Sequence, residues 1–135
     1  MKVARINSLS GVPLSDQIAE LGEHLWLQKK ISSFVIMIHG YKFDSGDQNH
    51  CPHATMFNPD AVEQDYRTLS WPDAFHMAPA DSCAIGFAWP ARGKLGSVYD
   101  LAARAGAELG QLIKALRLHH PEIPIHLMAH SMGAR

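Results

Sequence analysis

Scarcities narrow the field before any motif does. Only two cysteines, Cys51 and Cys83, occur in 135 residues, too few for a disulfide scaffold. Neither sign of charge dominates: 12 Lys+Arg against 13 Asp+Glu leave a formal net charge of -1. No basic face is implied, so nucleic acid is not an expected partner. No apolar run approaches the roughly 20 residues of a transmembrane helix, and residues 1–7 are too polar for a secretory signal. The expected setting is cytoplasmic, with Cys83 a buried thiol in an apolar run and Cys51 in a polar loop.

Two kinds of site are also missing. The segment 88–95 lies between a strand and a helix, as a phosphate-binding loop does. It has Ala88 and Leu95 where that loop needs a glycine and a magnesium-binding hydroxyl. It reads as a surface connection, with Arg92 and Lys94 flanking the mouth of a site. Asp44, Asp47, His50, Cys51 and His53 share one loop, but zinc takes about four ligands, usually with a pair from a second element. No second cluster exists, so neither a metal nor any other cofactor is expected.

What is present is an alternation of elements. Residues 3–6 suit a short edge strand. Leu14, Ile18, Leu21 and Leu25 fall at helical spacing, with Lys29 and Lys30 at the end that favours cations. Residues 34–38 form a continuous apolar run of the kind buried on both faces of a parallel sheet. A polar loop spans residues 42–57, and Asn58-Pro59-Asp60 resembles a helix start, the helix running through Val62, Tyr66 and Leu69. Residues 83–89 form a second buried strand. A helix over about 97–118 places Val98, Leu101, Ala102, Ala105, Leu109, Leu112, Ile113 and Leu116 on one stripe. Gly106 and Gly110 weaken it and are expected to allow close packing on the sheet. His24, His119 and His120 look like solvated helix-end residues. Strand and helix in turn predict an α/β fold with a parallel sheet.

The last apolar strand, residues 125–129, runs into Ala129-His130-Ser131-Met132-Gly133. This is the pattern of a sharp strand-to-helix corner that exposes a nucleophilic serine. A serine hydroxyl needs a base to remove its proton. Small residues two before and two after it, Ala129 and Gly133, make such a turn sterically possible. The N–H of Met132 is placed to bind a developing oxyanion.

With His39-Gly40 after a buried strand, the second strand and the long helix, this corner resembles the N-terminal half of the α/β-hydrolase superfamily, in particular its esterase-like and lipase-like members. The resemblance covers roughly residues 34–135. It implies an incomplete α/β-hydrolase fold, mostly parallel, with helices on both faces. It implies an acyl-enzyme at Ser131 on a carboxylic ester or thioester, with Tyr41 supplying the second oxyanion N–H and His39 organising that turn. His130 is expected to point away from the serine oxygen. Trp89, Phe43 and Met132 fit an acyl pocket or core packing equally. The family's acid and histidine follow later strands, so neither has a position in this chain.

The chain therefore reads as a single partial domain, 1–135, truncated just after the elbow and inactive alone. The alternative is a pseudoenzyme, a binding module or half of a split hydrolase, completed by a second chain or self-associating through an exposed sheet edge.

Overall fold

A computed structural model of the protein describes residues 3–25, 30–61, 69–74 and 81–135. Four strands form one parallel sheet: β1 (Val3–Asn7), β2 (Ser33–Ile38), β3 (Ser82–Ala88) and β4 (Ile125–Ala129), in the order β1-β3-β2-β4. The helices are α1 (Leu14–Leu25), the single turn α2 (Trp71–Ala74) and α3 (Leu95–His119). β1 is an edge strand, as its sequence suggests. Gln17 of α1 covers its last backbone groups, accepting from the Asn7 N–H at 2.7 Å and donating to the Asn7 carbonyl at 2.8 Å. β4 is the other edge of the described sheet, with Leu127 54% exposed.

Apolar alternation across the strands makes two cores. Ile6, Phe34, Ile36, Ile38, Cys83, Ile85 and Phe87 pack with Leu14 and Leu21 of α1 and with Val98, Ala105, Leu112 and Leu116 of α3. On the opposite face Met37 and Ala84 pack with Met56 and Phe57, and Trp71 of α2 joins them. Helices thus lie on both faces, but the two long ones share one. No helix among the described residues is long and apolar enough to cross a membrane.

Several expectations need correction. Nothing lies within 4 Å of a methyl group placed on Gly106 or Gly110. These glycines do not pack on the sheet; the buried stripe of α3 does. Each fully buried aliphatic side chain there contributes roughly 1.5–3 kcal/mol, outweighing the roughly 0.5–1 kcal/mol that a mid-helix glycine costs. The 42–57 loop is polar only in its first part, since Pro52, His53, Met56 and Phe57 are buried. A notch at Gly86 admits them: a methyl group there would stand 2.7 Å from the Phe57 ring and 3.1 Å from His53 Nδ1. The 88–95 segment is not purely a surface connection, because Trp89 and Ala91 are buried. His120 is not simply solvated: its ring lies 5.4 Å from that of Phe34 and its Nε2 is buried. Asn58 does cap a turn, its side chain accepting from the Asp60 N–H at 3.0 Å. Val62 and Tyr66 of the expected helix, and Lys29, lie outside the described residues, and Trp71-Pro72 opens α2.

Candidate functional site

Ile38 pairs with Ala129 at the carboxyl ends of β2 and β4. Parallel pairing brings the two following turns out side by side, where open α/β sheets place their ligands. The His130 N–H extends the ladder to the Ile38 carbonyl at 3.2 Å. The chain then turns sharply. Ser131 has φ +55°, a left-handed conformation that non-glycine residues rarely adopt, and a short 3-10 turn runs over Ser131–Ala134. Ser131 is exposed, Met132 is buried under the turn, and the Gly133 N–H closes on the His130 carbonyl at 3.0 Å.

The two turns interlock through glycines. A methyl group on Gly40 would stand 2.8 Å from the His130 carbonyl oxygen, 3.0 Å from Ser131 Cβ and 3.2 Å from His130 Nδ1. One on Gly133 would collide with the His39 carbonyl oxygen and stand 2.9 Å from that of Ile38. Each turn fits only because the other has no side chain at the contact.

His39 is wholly buried and both ring nitrogens are engaged. Nε2 accepts from the Trp89 backbone N–H at 3.0 Å, so the proton is assigned to Nδ1, which donates to the Gly40 carbonyl at 2.8 Å. The ring stacks on the Trp89 indole at 5.7 Å and 7°, and the indole N–H donates to the His39 carbonyl at 3.0 Å. Burial drives its pKa down to about 4, against smaller opposing contributions from the Gly40 carbonyl and Asp44. A neutral, doubly bonded imidazole fixes a turn; it has no lone pair left for a serine proton. The bond to the Gly40 carbonyl also sets the plane of the next peptide, whose N–H belongs to Tyr41 and points opposite to that carbonyl.

Segment 89–93 braces the same turn. Tyr41 donates its hydroxyl to the Gly93 carbonyl at 2.6 Å, and the Lys42 N–H bonds the Ala91 carbonyl at 2.7 Å. The Ala91 N–H bonds Phe43, and Arg92 Nη1 donates to the Lys42 carbonyl at 3.2 Å. Among the described residues, the backbone N–H groups of Tyr41 and Met132 have no hydrogen-bond partner, nor has the Ser131 hydroxyl. This brace was not read from the sequence. Its one signal was Trp89 just beyond the β3 end, beside His39 just beyond β2, given Ile38 paired with Phe87.

The other candidates serve structure. Asp44 accepts from Gly46, and Asp47 from Asn49, His50 Nδ1 at 3.1 Å and Arg92 Nε at 3.3 Å. His53 Nε2 bonds the Asn7 side chain at 2.9 Å. Among the described residues no three or more His, Cys, Asp or Glu converge as for a metal ion. Trp89 and Met132 belong to the main core, and Phe43 packs on the second, its ring 5.8 Å from that of His39. A cleft of about 870 Å³ opens between β1, α1 and residues 53–60, lined by Arg5, Gln17, Glu20, His24 and Asp60 among others. Neither Ser131 nor Tyr41 borders it. Its one sulfur nucleophile, Cys83, is pushed by burial to about 11 and is a thiol at neutral pH.

The family described as alpha/beta hydrolase of unknown function (DUF900) matches residues 16–135. No curated protein and no solved structure matches the chain.

Proposed function

The chain belongs to this DUF900 family of alpha/beta hydrolases, and from that premise we propose that Ser131 is the nucleophile of a serine hydrolase acting on a carboxylic ester or thioester. The observation that carries the reading is Ser131 itself: exposed, at φ +55°, against a braced turn, with two unpartnered backbone N–H groups on the adjoining turns. Strain of that kind, costing about 1–3 kcal/mol, persists where surrounding structure enforces it.

Ser131 Oγ attacks the carbonyl carbon while a histidine takes its proton. The tetrahedral oxyanion is held by the N–H groups of Tyr41 and Met132. Collapse expels the alcohol or thiol with that proton and leaves the acyl group on Oγ, and water then releases the acid. Both His39 nitrogens are engaged, so His39 is not the base that takes this proton. His39 and Trp89 act as positioning residues for the Tyr41 N–H.

The test is labelling of the complete protein by a fluorophosphonate, with Ser131→Ala as the control. Covalent labelling at Ser131, abolished in the variant together with about 10⁴-fold or more of ester hydrolysis, supports the reading. Labelling that persists in Ser131→Ala, or a wild-type protein that never labels, overturns it.

A further inference from the structure

We propose that the ester or thioester taken at this site carries a second, anionic group, a carboxylate or a phosphate, and that Lys42 selects for it. The inference rests on the Ser131 reading and names the substrate class of that site.

Lys42 follows the Tyr41 peptide and lies two residues beyond Gly40, which packs directly on Ser131. Its backbone is held in an unusual conformation, φ +79°, by the Ala91 carbonyl on its N–H and by Arg92 on its carbonyl. These are main-chain bonds, so they hold the residue without using its side chain. The ammonium is exposed and stands over the Tyr41 ring, 5.9 Å from its centroid. The main chain of Lys42 is thus fixed, and its ammonium rests against the Tyr41 ring beside the turn.

The surrounding charges do not cancel it. Asp47 is taken by Arg92 and His50, and Asp44 is turned into its own loop by the Gly46 N–H. Lys42 and Lys94 have no carboxylate at ion-pair distance among the described residues. Lys94 adjoins Gly93, the acceptor of the Tyr41 hydroxyl, and is the N-cap of α3, whose first turn contains no acidic residue. Two cations without a carboxylate partner among the described residues thus border the segments that meet at Tyr41. A charge on the residue next to an oxyanion N–H favours a ligand whose own anion lies a few bonds from the reacting carbonyl.

The first measurement compares kcat/KM of the complete protein for 4-nitrophenyl hemisuccinate and 4-nitrophenyl butyrate. The anionic ester is expected to be preferred. The ratio should fall about fivefold or more in Lys42→Gln, return in Lys42→Arg, and shrink as salt screens the charge. A merely structural defect would lower both values and leave the ratio where it was; that result, or no preference, overturns the proposal. The second measurement needs no turnover: calorimetric titration of the Ser131→Ala protein with monomethyl succinate and, separately, methyl phosphate. Saturable binding weakened at least about fivefold by Lys42→Gln supports the proposal and tells carboxylate from phosphate, whereas binding of neither ligand sinks it. Failure to label with a fluorophosphonate would remove the Ser131 reading alone, since the titration still decides the role of Lys42.

Discussion

Three non-glycine residues of the described chain have positive φ: Leu9, Lys42 and Ser131. Two of them frame the candidate site. Such conformations cost roughly 1–3 kcal/mol each, and here the opposing contacts are visible. Lys42 is held at its N–H by the Ala91 carbonyl and at its carbonyl by the Arg92 guanidinium, and Ser131 by the paired glycines at its flanks. Gly133 is the more sensitive of these, because its neighbours are backbone carbonyl oxygens that cannot rotate away. Gly133→Ala should therefore lower stability by about 1–3 kcal/mol, read as a lower urea midpoint with the slope retained, and should cost phosphonate labelling as well. A midpoint equal to wild type would mean that the two turns are not in contact.

At the level of elements, α3 shows packing overriding propensity. Gly106 and Gly110 sit in the helix with nothing against them, so alanine adds helix propensity without a clash. Gly106→Ala should raise stability by about 0.5–1 kcal/mol in urea denaturation; a loss would show that something packs there. Periodicity made β2, β3, α3, β4 and the start of α1 legible to within two residues, because each buries a face large enough to impose its repeat on the sequence. The tight turn at Ser131 was legible for another reason: such a turn restricts residue size at fixed offsets, and a methyl group on Gly133 would meet two backbone carbonyl oxygens. What stayed hidden depends on contacts between distant segments. The polar start of the 42–57 loop masks Pro52, Met56 and Phe57, which become core only because Gly86, far along the chain, leaves room. The 89–93 brace ends largely on backbone carbonyls and N–H groups, and which backbone groups meet leaves no trace in residue identity.

Across the whole molecule, two buried histidines tie stability to pH. His39 and His53 flank Phe57, at 6.1 and 5.7 Å between ring centroids, and burial first of all holds both near about 4. In the unfolded chain they titrate near 6.5. Between those values the unfolded state binds more protons, so stability is fully present above about 6.5 and drains away as the pH falls toward 4. The ceiling is about 3 kcal/mol for each histidine. Urea midpoints measured from pH 7.5 to 4.5 should decline steadily, and His53→Gln should remove roughly half of the slope; a flat profile would mean that the rings are solvated. The meeting of Gly40 with Ser131 has a consequence of another kind. No rotatable side chain stands between the serine and the turn that bears the Tyr41 N–H, so their relative placement has no torsional slack. That placement is fixed by backbone surfaces in contact, and it is set when the two strands find their register.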